Sequence, residues 1–346
     1  MSSHGKREAE ILPTHTAALF DAAVKRAAAL LRAGEVVALP TETVYGLASN
    51  ALDGAAVGKI FEIKGRPAHN PIIVHVADVA MARRCVAEWP EAAERLAAAF
   101  WPGPLTLVLP RAELIPDIVT AGGSTVGVRW PSHPLIQAVI RECGFPLAAP
   151  SANPSNGVSP TNAAHVRESL GQNVSLIVDG GQSQVGIEST VVDLSVTPVR
   201  VLRPGMIHAE SLLAVLSEAG IRGVEPEARS EHGPLRSPGQ LKKHYSPKAR
   251  LVVLDWKDDA ELYSHISKLN ASPSSTHVIA HSRIPSGAGL GGVSVIPHDA
   301  EAYARAIYAE LHRCDAEGAQ WIVVEALPVG AAWQAIADRL RRAASE

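Results

Sequence analysis

The sequence predicts an α/β protein of two domains, and three observations carry that reading. Short apolar, β-branched runs alternate with Ala- and Leu-rich stretches of helical spacing, the pattern of strands interleaved with helices. At 346 residues the chain is long for one core. Between 221 and 249 the composition turns to Pro, Gly, Glu, Arg and Ser without periodicity, as in a linker. The expected organisation is a twisted mixed-sheet domain over 14–220, a linker over 221–249, and a smaller doubly wound, Rossmann-like α/β domain over 250–346.

Residues 1–13 read as a loose tail. Thr16 is placed to cap a helix in which Phe20, Val24, Ala27 and Leu31 recur at helical spacing, with Gly34 ending it. The apolar run 36–39 is a short buried strand that stops at Pro40. Thr41, Thr43 and Tyr45 then place hydroxyls where the chain leaves the sheet. Asp53 caps a second helix through Val57, Ile60 and Lys64, whose end delivers Lys64 and Arg66 to a loop. Strand 72–76 follows, then two Ala-rich helices, 78–88 and 91–100, divided by Trp89-Pro90.

A Trp-Pro-Gly-Pro turn (101–104) leads into strand 105–109, and 124–129 is another strand by its β-branched content. Helix 134–143 and strand 146–149 precede an irregular loop, 150–160. Helix 162–170, strands 174–178, 187–193 and 199–205, and helix 209–219 complete the first domain. Beyond the linker, strands 251–254, 277–280, 293–296 and 321–324 alternate with helices near 258–268, 299–316 and 330–343.

Hydrophobic residues make up 47% and charged residues 19%, which is ordinary for a soluble protein with sizeable cores. A formal net charge of −3 provides no general attraction to nucleic acid or acidic membrane, so any anion site must be local. Cys85, Cys143 and Cys314 lie far apart, which disfavours a disulfide framework or thiolate metal site and fits a reducing compartment. Neither a signal-like apolar core nor a membrane-length segment is present, so the cytoplasm is expected.

Familiar nucleotide and hydrolase motifs fail on inspection. The stretch 54–59 is one residue short of a Walker A loop, and Ile60 follows where Ser or Thr is needed. Residues 287–292 satisfy GxGxxG but lead into a strand, the wrong context for a dinucleotide. GxSxG, HExxH and metal-spaced Cys/His sets are absent. What remains is a set of cations at strand ends and in loops: Lys64, Arg66, Arg129 and Arg203. Arginine forks match phosphate and carboxylate, and lysine adds a compact charge. An isolated surface cation is worth only ~0–1 kcal/mol in an ion pair. Four of them among hydroxyl-rich, Pro- and Gly-flanked loops suggest an anion-binding, nucleotide-using protein.

The segments PTETVYGL (40–47), KGRP and NPIIVHV (64–76), WPGPLTLVL (101–109), TVGVRWP (125–131), APSAN with GVSPT (149–161), IESTVVD (187–193) and VRVLRPG (199–205) resemble the YrdC-like family. SPGQLKKHYSP (237–247) resembles the linker signature of its two-domain form, the threonylcarbamoyl-AMP synthases, with Gln240 where Met is common. The resemblance implies a nucleotidyltransferase making threonylcarbamoyl-AMP and pyrophosphate from L-threonine, bicarbonate and ATP. The product would serve a separate transferase that modifies the tRNA adenosine beside the anticodon.

By the same resemblance, Lys64 and Arg66 are the catalytic cations. Thr43, His75, Arg129, Ser189 and the backbone at Ala149 would hold threonine. Arg66, Asn70, Thr125, Ser151, Asn153, Ser159, Arg203 and Tyr245 would hold ATP, with Tyr245 closing over it from a linker lid. Thr41 and Tyr45 complete the pocket wall. Mg2+ would ride on the phosphates, with no protein metal site. Two other readings fit the basic loops: a double-stranded RNA-binding module without catalysis, with weak tRNA binding as its milder form, and a carbamoyltransferase of the hydrogenase-maturation type.

Overall fold

The structure, a computed structural model, describes residues 8–217, 220, 223–226 and 244–344. Residues 237–243 of the linker signature, where the lid is expected, lie outside that set. The chain forms two compact units. One comprises Met1–Ser155, Pro160–Gln184 and Glu188–Gln240; the other comprises Asn156–Ser159, Val185–Ile187 and Leu241–Glu346.

The first unit begins with β1 (Glu10–Pro13), α1 (Ala17–Arg32), β2 (Val37–Leu39), β3 (Gly46–Asn50) and α2 (Gly54–Lys64). Next come β4 (Val74–His75), α3 (Val79–Cys85), α4 (Glu91–Phe100), β5 (Leu105–Pro110) and α5 (Asp117–Thr120). β6 (Thr125–Arg129), α6 (Pro134–Cys143), β7 (Leu147–Ala148), α7 (Ala163–Leu170) and β8 (Leu176–Asp179) follow. The unit ends with β9 (Thr190–Asp193), β10 (Val199–Arg203), α8 (Ala209–Ser217) and β11 (Val224–Pro226).

Their strands make a mixed 11-stranded sheet in the order β1-β8-β2-β3-β7-β4-β6-β5-β9-β10-β11. β2 is buried throughout, as is β5 up to Leu109. Such strands read as continuous apolar runs because both faces are covered. Most of the buried residues of this unit form one core, in which Leu31 of α1, Leu39 of β2, Leu107 of β5 and Ile140 of α6 are fully enclosed.

Local signals set the helix ends that matter for the site. Thr16 caps α1 by accepting the Leu19 amide at 3.3 Å. Asp53 caps α2 by accepting the Ala55 and Ala56 amides at 2.9 and 3.2 Å. Gly65, at φ +59, stops α2 in the left-handed conformation that glycine adopts at low cost. Lys64 therefore sits in the last helical turn, with Arg66 just beyond.

Four sequence-based expectations need correction. Residues 10–13 are not tail: β1 pairs in parallel with β8, Glu10 opposite Leu176. β3 was not expected at all; it runs antiparallel to β2 straight out of the hydroxyl turn, Leu39 opposite Gly46. Strand 72–76 shortens to β4. Val224–Pro226, inside the expected linker, is β11 and pairs in parallel with β10. Strands of two to five residues, buried on both faces or rich in Pro and Glu, show no period-2 alternation, so the pattern that reveals strands had nothing to act on.

The second unit contains β12 (Arg250–Leu254), α9 (Asp259–Lys268), β13 (Thr276–Ala280), β14 (Gly292–Val295), α10 (Ala300–Ala316), β15 (Trp321–Glu325) and α11 (Ala331–Ala343). Its sheet is wholly parallel in the order β12-β15-β13-β14, a doubly wound arrangement as expected. The GxGxxG stretch, with Gly287 and Gly289 at positive φ, leads into β14, a strand as expected.

Gly205, just after β10, shows how closely the last strands approach. A Cβ there would lie 2.4 Å from the Thr190 amide nitrogen and 2.7 Å from its Oγ1. That hydroxyl is already committed, donating to Ile207 O at 2.9 Å. Gly205→Ala should lower stability by about 1–3 kcal/mol, read as a reduced urea midpoint at unchanged m; an unchanged midpoint would show that this loop yields freely.

Candidate functional site

Strand register brings most of the expected residues together. His75 ends β4 and pairs with Arg129 at the end of β6. On the next strand, β5, Leu107 faces Val128, which puts Thr106 level with Arg129. β9 continues the row with Thr190 opposite Leu105; Ser189, just before it, falls level with Pro104 and reaches Thr106 through its hydroxyl. β10 brings Arg203 opposite Val191. Adjacent strand ends thus line up His75, Arg129, Thr106, Ser189 and Arg203.

Hydrogen bonds join them. Thr106 Oγ1 and Ser189 Oγ lie 2.8 Å apart. Arg203 donates from Nη2 to Ser189 Oγ at 3.1 Å and from Nε to Ser189 O at 3.0 Å. Arg129 donates from Nη1 to Thr43 Oγ1 at 2.9 Å and from Nε to Gly103 O at 3.3 Å. Thr43 Oγ1 is 2.9 Å from Thr41 Oγ1. Thr41 organises the turn, accepting the Thr43 and Val44 amides and donating to Val44 O at 2.6 Å. Tyr45 closes this side: its hydroxyl donates to Gly181 O at 2.7 Å and accepts the Gly180 amide at 3.1 Å.

A second group gathers where β4 begins. Arg66 donates from Nε to Asn70 O at 3.0 Å, and from Nη2 to Asn70 Oδ1 at 2.8 Å and Pro71 O at 2.5 Å. Lys64 Nζ donates to Ser151 O at 2.5 Å and also to Asn153 O. Burial and the neighbouring Arg66 charge push the Lys64 ammonium well below the usual lysine range. Asn70 Nδ2 is buried with no partner in the structure, a donor left over after its oxygen has bound Arg66. The Ala149 amide is committed to Ile73 O at 3.1 Å, so its carbonyl is the backbone group left to offer a ligand there.

Next to the two groups lies a small cavity walled by Pro71, Ile73, Thr106, Thr125 and Gly127 among others. None of the four cations lines it directly, but both ends are tied to them. Pro71 accepts from Arg66, and Thr106 is linked through Ser189 to Arg203. Gly127 forms part of the floor; a Cβ there would lie 3.2 Å from Thr106 Cγ2 and begin to fill the space.

Two contributors escaped the sequence reading. Glu42 is buried, with Oε1 2.7 Å from Arg129 Nη2. Burial alone would raise its pKa, yet the Arg129 charge and hydrogen bonds hold it below the usual carboxylate value. A buried arginine calls for a counter-charge, and the lone acid between Thr41 and Thr43 was the available hint. Thr106 was hidden inside an apolar strand, where a single polar residue was its only mark.

The remaining expected residues, Ser159 and Tyr245, belong to the second unit. Ser159 is buried, its carbonyl 3.2 Å from His312 Nε2. An aromatic in a linker is ordinarily exposed, but Tyr245 is 1% exposed. It packs against Tyr308 with centroids 5.9 Å apart, under the Arg339 guanidinium at 5.5 Å and against His244 at 4.0 Å. Lys64, Arg66, Arg129 and Arg203 are likewise buried, each at most 8% exposed. That removes the basic face on which the double-stranded RNA reading depended.

Two family models match the chain. One, described as "Telomere recombination", covers residues 29–205; the other, described as "Threonylcarbamoyl-AMP synthase, C-terminal domain", covers 207–345. The threonylcarbamoyl-AMP synthase of Pyrococcus abyssi is 38% identical over 323 residues, 92% of this chain and 93% of its own length. That of Bacillus subtilis is 46% identical over 236 residues, 68% of this chain and 67% of its own length. Among solved structures, Pyrococcus abyssi Sua5 complexed with L-threonine aligns with a TM-score of 0.84 at 37% identity, covering 93% of this chain and 94% of that one.

His75 gives the site a pH signature. Burial first, then the Arg129 charge, lowers its pKa to about 3, against a partial opposing effect of Glu42. Its Nδ1 is buried without a partner. Below pH 6.5 the unfolded chain takes up a proton there that the folded state refuses until about pH 3. Stability should therefore fall as pH drops through this window, by up to about 1.4 kcal/mol per pH unit from this residue. In His75→Gln, urea midpoints should flatten over the same range; an unchanged slope would place the acid sensitivity elsewhere.

Proposed function

The chain belongs to the YrdC-like threonylcarbamoyl-AMP synthase family, and from that premise we propose that its first unit condenses L-threonine, bicarbonate and ATP into threonylcarbamoyl-AMP and pyrophosphate. The observation that carries this reading is the row of buried cations and hydroxyls across the ends of β4, β6, β5, β9 and β10. The threonine amine attacks bicarbonate, water leaves, and a carbamate oxygen displaces pyrophosphate from the α-phosphorus. No enzyme nucleophile is needed. Three mutually repelling anions must be brought together, and preorganised donors in a partly dehydrated cleft supply that.

In this assignment Arg129, Thr43, His75, Ser189 and the Ala149 carbonyl receive threonine. His75, neutral at working pH, offers its unpartnered Nδ1 as a hydrogen-bonding atom and adds no charge. Arg203, Thr125, Asn70, Ser151 and Asn153 receive the nucleotide, and Arg66 with Lys64 faces the phosphates. Thr41 and Glu42 hold Thr43 and Arg129 in place. ATP carries its own Mg2+: the carboxylate in this group, Glu42, is taken by Arg129, so these donors suit phosphate oxygens better than a cation. That ion would neutralise charge on the departing pyrophosphate. A separate threonylcarbamoyl transferase acting on tRNA would consume the product. We place the reaction in the cytoplasm, where these substrates meet.

Mass spectrometry after incubation with ATP, threonine and bicarbonate should find threonylcarbamoyl-AMP, and its absence would refute the reading. Arg66→Ala and Lys64→Ala should each cut threonine-dependent pyrophosphate release by about 10²–10³-fold, with the circular dichroism spectrum retained. Near-normal turnover in either would remove that residue from the mechanism. A site that hydrogen-bonds the threonine hydroxyl should reject valine by about 10⁴-fold or more in kcat/KM, and serine by only about 10–200-fold; comparable rates with valine would mean that the hydroxyl is not read.

A further inference from the structure

The second unit holds a polar cluster with no part in the chemistry above. It lies at the carboxyl ends of the parallel strands. His281 follows β13, His298 follows β14, and Glu325 ends β15. Neighbouring β13 and β15 lead away in opposite directions, β13 toward β14 and β15 into α11, which packs against β12. Open α/β sheets bind ligands at such a divergence.

His281 Nε2 lies 3.1 Å from Ala326 O. A proton on Nε2 serves that carbonyl and leaves Nδ1 of the neutral ring as a lone pair, the arrangement typical of metal-ligating histidines. His298 Nδ1 and Ser282 Oγ each approach that atom to 2.8 Å, and they are 2.9 Å from one another. These three atoms make a nearly equilateral triangle. Adjacent ligands of an octahedral ion with bonds of ~2.1 Å are about 3.0 Å apart, so little movement would be needed to seat one.

The surroundings favour a cation. Glu325, 2% exposed, accepts the backbone amides of His281, Ser282 and Arg283 at 2.7, 2.9 and 3.1 Å. Its Oε2 stands 4.0 Å from His281 Nδ1. Arg283, the nearest opposing charge on the same loop, is ion-paired with Asp255. Trp333 packs 5.8 Å from the His281 ring and 5.6 Å from that of His298. Tyr303 lies behind them, its hydroxyl buried without a partner.

We propose that His281 Nδ1, His298 Nδ1 and Ser282 Oγ bind one divalent first-row transition ion, of the Zn2+, Co2+ or Ni2+ kind, with water completing its shell. Among the described residues no group of three or more His, Cys, Asp or Glu side chains is placed to hold a metal. The ion therefore has two imidazoles as strong ligands and is exchangeable. On binding, a proton on His298 Nδ1 moves to Nε2, which frees Nδ1 as a ligand.

Full-length protein, stripped with EDTA and dialysed, is titrated with ZnCl2 by calorimetry and with CoCl2 by visible absorption; MgCl2 serves as control. One saturable equivalent is expected for Zn2+ and Co2+ and none for Mg2+. The chain has 14 histidines, so the difference between proteins is decisive. His298→Ala, at an exposed position, should keep the fold and weaken that equivalent by about tenfold or more, at least the cost of losing an outer-shell partner. Equal binding by His298→Ala and the unaltered chain, or no saturable equivalent in the latter, would overturn the proposal.

Discussion

A cation taken out of water must find oxygen atoms inside the protein, and the first unit is shaped by that demand. Arg66 takes the carbonyls of Asn70 and Pro71, Lys64 those of Ser151 and Asn153, and Arg203 that of Ser189. A carbonyl engaged in a sheet ladder has less to give, so the loops that hold the cations are irregular by necessity. Pro67, Pro71, Pro150 and Pro154 keep them out of regular structure. Arg129, at the end of a strand with fewer loop carbonyls around it, takes a carboxylate instead. Breaking one of these pairings leaves a buried charge uncompensated, which is far costlier than the pairing is stabilising.

How much of this was legible follows from what each feature depends on. Helix α2 and its two cations could be read because the cap, the terminator and the charges are local: Asp53, Gly65, Lys64 and Arg66 lie within one short stretch. The alternating second unit could be read for the same reason. Glu42 could not, since its role depends on Arg129, which arrives from another strand after four intervening helices. β1 and β11 could not either, because four and three residues offer too little pattern and the partner decides the matter. Tyr245 is instructive in the other direction. A Pro- and Lys-rich neighbourhood pointed to solvent, but Tyr308 and Arg339, some sixty and more residues onward, supply the packing that buries it.

The two units solve different problems with related means. In the first, mixed pairing lets strands of opposite direction deliver His75, Thr106 and Arg203 to one row, since an antiparallel neighbour contributes its beginning where a parallel one contributes its end. In the second, every strand points the same way, and the polar residues collect together at the carboxyl ends. Topology thus decides which side chains can meet before any side-chain chemistry is considered.

The place of β8 between β1 and β2 has a consequence during synthesis. Leu39 is added roughly 7–30 s before Asp179, at ordinary elongation rates of about 5–20 residues per second. For that interval the apolar face of α1 and the edges of the two earliest strands lack the neighbour that will cover them. The nascent chain should be at its most vulnerable to mispairing then, and trigger-type holdases would find their longest opportunity on its opening forty residues.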